Sequence, residues 1–501
     1  MAGDIALESI ADFVIRTQKE GAPQDAIEAS TNVVLDSLAC IYAGMDSPGA
    51  RAAATVPESP RSPRDEGTVV GSTQPATLEN AAFWNSCMIR YADCNDSMTA
   101  GHPSDMLGPL IAVAGARELL GRTLLTGLAV AYEVFHPLML RHRTYHKHKG
   151  TLVDNLSVDQ GFFVATGVAA ALSNMLGYDH QQTKTAVSLA ACHGLPLRVQ
   201  RAGNCLNTKV WLLQSVHVLL SPPVTWRRVA SRLHRIHSND EDRHGYVEIM
   251  EGKAGPMNLE PFGTWAVKGT ILKFCPSTAS TQIGIRCAKS LREKIDVANI
   301  KDVLLHASRF SWHESGSEPA KWSPTTYETA DHSLPYTFTM GLLDGNVSLD
   351  TYSDATLANH RWRSLISKVR AQADDNIESE WPDIFSIRAL ATMNDGTTHE
   401  VYARDPKGHP NNPMSREDIR AKFHNFAGPT LGSETDSIRE SALYRQPFES
   451  NRTKDPGRTN GSIFPLAALT LQSELNCCPI FDLGGRNLVP EAVYQAKGFT
   501  M

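Results

Sequence analysis

The chain has 501 residues, 42% of them hydrophobic and 20% charged, enough to bury a large core spread over two or three domains. Its formal net charge of -6 argues against a nucleic-acid binder, whose contact face would be basic, but leaves room for an anionic substrate held in a locally basic pocket. The nine cysteines are scattered without a C-x-x-C pair, which speaks against a disulfide framework or a zinc or iron–sulfur set and favours a reducing compartment.

The chain opens on an amphipathic helix with Ile5, Ile10, Phe13 and Val14 on one side, not on a signal or Arg-rich transit peptide. No run reads as long and apolar enough to span a bilayer, so a cytoplasmic protein without membrane contact is expected. Pro23 opens a second helix with an apolar stripe of Ala26, Val33, Val34, Leu38 and Ile41. Helical patterns follow over 79–91, 106–120, 125–140 and 160–176, with Gly121 and Gly177 expected as stops. The small residues Ala165, Gly167, Ala169, Ala170 and Ala171 suit close helix packing. The basic, His-rich segment 141–149 is expected to be a solvated loop in which His146 and His148 bind metal weakly at most.

Beyond Lys268 the texture changes. Residues 303–306 predict a strand, and 385–392 and 398–402 flank Asn394-Asp395-Gly396 in a hairpin pattern. Residues 415–426 read as helix again, with Arg416, Glu417 and Asp418 in the first turn. The expected organisation is a helical domain over 1–268, an inserted α+β lid over 269–414, and a helical return with an unassigned tail over 415–501.

Four segments carry chemistry. In YADCNDS, 91–97, followed by GHPSD, 101–105, His102 sits on a loop before a helix and is the natural proton carrier, with Asp93 to orient it. Taken alone, the same residues also suit helix caps and a surface histidine. In LRVQRAG, 197–203, with Lys209 following, Arg198, Arg201 and Lys209 suit carboxylate binding, or equally a solvated basic turn. Lys273 lies among apolar neighbours, where burial would lower its pKa unless it snorkels to water. In ETADHSLPY, 328–336, His332 and Tyr336 would share a face if a helix begins here, with Asp331 as its cap. PKGHP, 406–410, reads as a turn-rich segment and a decoy for chemistry.

Together, and in this order, ADCND with GHPSD, LRVQRAG, KWSPTTYETADHSLPY with LLDG, and NDGT with PKGHPNNPM resemble the MmgE/PrpD family, which includes 2-methylcitrate dehydratase and cis-aconitate decarboxylase. The resemblance spans about residues 5–427. It implies a large all-α domain built from both chain ends plus a smaller α+β lid, a homodimer, and catalysis without metal or organic cofactor. It also implies that Asp93, His102, Lys209, Lys273 and Tyr336 line the site, with Ser97 where decarboxylase relatives carry threonine.

The expected reaction is dehydration of 2-methylcitrate or a longer 2-alkylcitrate. His102 would exchange the proton, Tyr336 would protonate the leaving hydroxyl, and lysines, with Arg198, Arg201 and His332, would hold the acid. The acid and base roles are open to reversal. Gln160, Ser280 and Tyr327 depart from the family's usual histidine, histidine and arginine, and 210–250 does not read like the family. These departures lean towards a specialised, secondary-metabolite relative. They also keep open cis-aconitate decarboxylation to itaconate and an inactive structural or regulatory homodimer.

Overall fold

The computed structural model describes residues 5–56, 65–99, 101–148, 160–192, 259, 261–381, 384–432 and 435. The N-terminal third is helix against helix. α1 (Ile5–Glu20) buries Ile10, Phe13 and Val14, while Ile5, at its first position, stays about half exposed. α2 (Gln24–Gly44) follows Pro23, whose extended backbone suits a helix entry, and buries Val33, Val34, Leu38 and Ile41. α3 (Leu78–Tyr91) is capped by Thr77, whose hydroxyl accepts from the Asn80 N–H.

The helix expected over 106–120 is shorter. A 3-10 turn, Pro103–Met106, leads into α4 (Leu107–Ala116). Gly121 does not stop a helix but begins the next one, α5 (Gly121–His148). Two expectations fail on α5. The basic segment after Leu140 is helical through His148 rather than a loop. The stretch Gly121–Arg141 is also long and apolar enough to cross a membrane, yet 78% of its most apolar window is buried in the fold, as in the central helix of a packed core. α6 (Gly161–Met175) lies against it at close range. A Cβ on Gly167 would meet the Met106 sulfur at 2.5 Å and the Ala131 carbonyl at 2.9 Å, so only glycine permits that approach. Gly177 does end α6, at φ +68°. α7 (His180–Cys192) completes the layer.

The second part is α+β. β1 (Ile300–Ala307), β2 (Val369–Ala373), β3 (Ser386–Met393) and β4 (Thr398–Arg404) form one sheet in the order β2-β1-β3-β4. β1 runs parallel to β2 and antiparallel to β3, and β3 pairs with β4 through the predicted hairpin, with Gly396 at φ +86° in its turn. One face is packed by α8 (Ala279–Arg292) and by a helix considered below. Ile283, Cys287, Leu291, Val303, Leu305 and Ile387 share one apolar cluster.

α11 (Arg416–Leu431) then returns to the first part. Ser415 and Asp418 cap it reciprocally, and Ile419, Phe423 and Phe426 enter the same core as α1 and α2. Phe423 meets Tyr42 edge-on, ring centres 6.2 Å apart. The helical core is therefore built from two distant stretches of chain.

The helix start that would put His332 and Tyr336 on one face, with Asp331 as its cap, is not what forms. α9 (Tyr327–Asp331) ends before His332, and α10 (Leu334–Asp344) starts afresh, capped by Ser333, not Asp331. The Ser333 hydroxyl accepts from the Tyr336 N–H at 3.0 Å. His332 thus sits at a break between two helices while Tyr336 lies inside the second, and they share no helix face.

Candidate active site

The site forms where the loop after α3 meets the segment entering the α+β part. α3 ends at Tyr91, and the chain reverses at Asp93, whose φ is +45°. Aspartate tolerates this left-handed conformation better than most residues, and its persistence needs support from its surroundings. That support is ionic. Asp93 Oδ1 accepts from Lys273 Nζ at 2.7 Å and from the Arg90 guanidinium, and all three side chains are buried. Burial alone would raise the Asp93 pKa, but Arg90 and Lys273 outweigh it and hold the carboxyl well below the usual range. Burial pushes the Lys273 pKa down, against the pull of Asp93. Asp93 Oδ2, also buried, has no hydrogen-bond partner among the described residues.

Two imidazoles approach this carboxylate. His102 Nε2 is 4.0 Å from Oδ1 and His332 Nε2 is 3.6 Å from Oδ2. The His102 Nδ1 lies 2.7 Å from the Asp96 carbonyl, which can only accept, so Nδ1 carries a hydrogen and, in the neutral ring, the lone pair falls on Nε2. The orienting group is therefore a main-chain carbonyl. Asp93, which the sequence suggested for that task, is held by its two cations instead.

The His102 N–H donates to Gln160 Oε1, and Gln160 Nε2 donates to Asp105 Oδ2 at 3.2 Å. Asn95 donates to the other Asp105 oxygen at 2.9 Å, and burial raises that carboxyl to about 7. Asp96 is fixed in turn by the Ser104 N–H at 2.9 Å and the Tyr132 hydroxyl at 2.7 Å. On the other side, His332 Nδ1 bonds the Asp331 carboxylate, and its side chain is 15% exposed, against 5% for His102. His332 is thus the more open of the two.

Lys273 is delivered by a segment held at each residue. Ile271 exchanges main-chain bonds with Ser97 at 2.7 and 2.8 Å, and the Leu272 N–H donates to the Gly408 carbonyl at 3.1 Å. A Cβ on Gly408, at φ +92°, would fall 1.7 Å from the Leu272 carbonyl. The turn-rich PKGHP segment therefore braces the segment that leads into Lys273. Ser97 is buried and joins the site through its backbone.

Tyr336 does not join the cluster. Its hydroxyl donates to the Thr351 carbonyl at 2.6 Å, and its ring packs on Trp362 and Tyr352 in a separate apolar group. Burial pushes the phenol pKa up, a poor setting for an acid that must give its proton away. Lys209, Arg198 and Arg201 lie outside the described residues.

Sequence reasoning missed Arg90, the Asp96 carbonyl and Gln160 as a support for His102. A cation three positions before Asp93 on a predicted helix was the signal for Arg90. Among the described residues, Asp93, Asp331 and His332 also offer metal-ligating atoms within 4.8 Å of one another. The Lys273 and Arg90 charges on the same carboxylate oppose a further cation there. Chemically, the cluster presents one lone-pair imidazole, one carboxylate-backed imidazole and a buried ammonium within reach of one another.

Two family models match. The MmgE/PrpD N-terminal domain covers residues 8–213 and the MmgE/PrpD C-terminal domain covers 275–444. Among curated relatives, the 2-methylcitrate dehydratase of Cupriavidus necator is 26% identical, over 81% of this chain and 86% of its own length. The alkylcitrate dehydratase phiI of a fungal species is 25% identical, over 78% and 81%. The mitochondrial 2-methylcitrate dehydratase of Yarrowia lipolytica is 25% identical, over 81% and 80%.

Proposed function

Because the chain belongs to the MmgE/PrpD family, we propose that the Asp93 cluster is the active centre of a hydro-lyase that dehydrates 2-methylcitrate or a longer 2-alkylcitrate to the alkyl-aconitate. The observation that carries this reading is the pair of imidazoles facing opposite oxygens of one buried carboxylate beside a buried lysine. Dehydration removes a proton α to a carboxylate and expels a β-hydroxyl as water, so it needs a base, an acid and a cation in one pocket.

His102 Nε2 takes the proton from carbon, the electron pair forms the C=C bond, and the C–O bond breaks. His332, backed by Asp331, gives its Nε2 proton to the departing hydroxyl. It replaces Tyr336 in that role. Lys273 binds a substrate carboxylate and offsets the charge that grows on it during proton loss. Asp93 keeps the ammonium and both rings in register. Lys209, Arg198 and Arg201 supply the remaining cations for a multiply charged acid.

The alkylcitrate dehydratase among the relatives supports a longer alkyl chain and a specialised, secondary-metabolite setting. So does Tyr327, which stacks on Tyr91 at 5.0 Å and gives an aromatic surface where the family resemblance calls for arginine. The homodimer that is usual in the family completes the proposal, and sedimentation of the purified chain tests it.

The deciding experiment is incubation with citrate, 2-methylcitrate, longer 2-alkylcitrates and cis-aconitate, read by mass. Loss of water from the alkylcitrates is expected. Exclusive turnover of the methyl compound would remove the specialised setting, and loss of carbon dioxide from cis-aconitate would replace dehydration with decarboxylation.

A further inference from the structure

We infer that Lys422, on the returning helix α11, is a positioning residue for the Asp93–Lys273 pair. The inference rests on the reading that this pair serves the reaction. Lys422 is 2% exposed, and its ammonium meets three acceptors: the Asp36 carboxylate on α2, the Cys94 carbonyl at 2.6 Å and the Lys273 carbonyl at 2.7 Å. An ammonium has three hydrogens, so all are committed and none is left for substrate.

The two carbonyls are not arbitrary. Cys94 directly follows the left-handed Asp93, and the other carbonyl belongs to Lys273 itself. One cation thus ties the main chain of both partners in the 2.7 Å contact between Lys273 Nζ and Asp93 Oδ1. The Cys94 thiol adds a weaker bond to the same Lys273 carbonyl at 3.4 Å. Burial pulls the Lys422 pKa down, but Asp36 together with the other groups around the ammonium pushes it up on balance, so the staple stays charged across the working range. A buried ion pair adds little to stability over an apolar pair of similar volume, whereas two orphaned carbonyls beside a catalytic pair would cost geometry.

The test removes the two charges together. The double variant Asp36→Leu/Lys422→Met leaves no uncompensated charge, and it should keep its melting temperature within a few degrees. Its kcat for dehydration should fall about 10²-fold, the scale of an ångström's misplacement at a reacting centre, with KM moving less than about 3-fold.

The alkaline limb of its pH profile should move to lower pH. Among the described residues, Lys273 faces Asp93, Arg90 and the Cys94 thiol, with Asp36 and Asp105 further off, and Asp93 is the strongest of the groups that favour its charged form. A Lys273 pulled away from Asp93 therefore gives up its proton more easily. Asp36→Asn, which leaves the buried Lys422 ammonium without its counter-ion, should lower the melting temperature more than the double variant does. Asp36→Asn/Lys422→Gln, with amide hydrogens facing the carbonyls, should recover part of the lost kcat, and it serves if the apolar pair does not fold.

An unchanged kcat and pH profile in the folded double variants would overturn the inference, as would a loss that only tracks the folded fraction. If the wild type turns over no tricarboxylate, the functional reading fails on its own. A crystal structure of the folded double variant still decides the positioning role: a Lys273–Asp93 separation beyond hydrogen-bond reach supports it, and an unchanged contact refutes it.

Discussion

The two sides of the site are built differently. On the helical side, His102 is held at ring and backbone: the Asp96 carbonyl accepts from one ring nitrogen, and the Gln160 side-chain oxygen accepts from the main-chain N–H. Asp93 beside it sits in a left-handed turn locked by two cations. On the α+β side, His332 occupies a break between two short helices, is held by one carboxylate, and is partly exposed. The first arrangement is over-determined and suits a base whose lone pair must not wander. The second rests on fewer contacts and suits a group that exchanges protons with a departing water.

Substitutions can sharpen or break this contrast. The largest effect is expected from His102→Ala, which removes the imidazole whose Nδ1 hydrogen is held by the Asp96 carbonyl. kcat should fall about 10³-fold with an unaltered circular dichroism spectrum, within the usual range for lost proton transfer. Next, His332→Gln should cost about 10²-fold and Asp331→Asn about 10-fold, since the second only loosens the ring. Equal losses at Asp331 and His332 would mean that the carboxylate does more than orient. Tyr336→Phe should leave kcat within about 3-fold and lower stability by about 1 kcal/mol through the lost bond to Thr351. A large kcat loss there would return the phenol to the acid's role.

The smallest effect concerns stability against pH. Burial lifts the Asp105 carboxyl to about 7, so the folded chain keeps a proton that the unfolded chain releases near its ordinary pKa of about 4. The stability this group contributes is complete below about pH 4 and is lost as pH rises through about 7. The melting temperature should therefore decline between about pH 5 and about pH 8, and the decline should flatten in Asp105→Asn.

Local signals carried much of the architecture. Asn394-Asp395-Gly396 between β-formers announced the hairpin, and small residues in 165–171 announced the α5–α6 approach. Asp93, His102, Lys273 and His332 were legible because their motifs are short and contiguous, and the fold brings all four together. Tyr336 was not, because spacing four from His332 implies a shared face only within one helix, and Ser333 starts a new one. Gly121–Arg141 was passed over because apolarity suited to a membrane and apolarity suited to a packed core look alike in sequence. PKGHP looked like a turn-rich decoy because its contact with Leu272 is long-range. Lys422 had no local signature either: its partners lie on three segments, the farthest 386 positions away.

That last separation has a consequence for synthesis. Asp36 leaves the ribosome hundreds of residues before its counter-ion, and a carboxylate without one resists transfer out of water. The seam between α2 and the segments that carry Asp93 and Lys273 therefore closes late, when α11 docks. Until then a nascent chain that already carries Asp93, His102, Lys273 and His332 lacks the contact that ties their segments to α2.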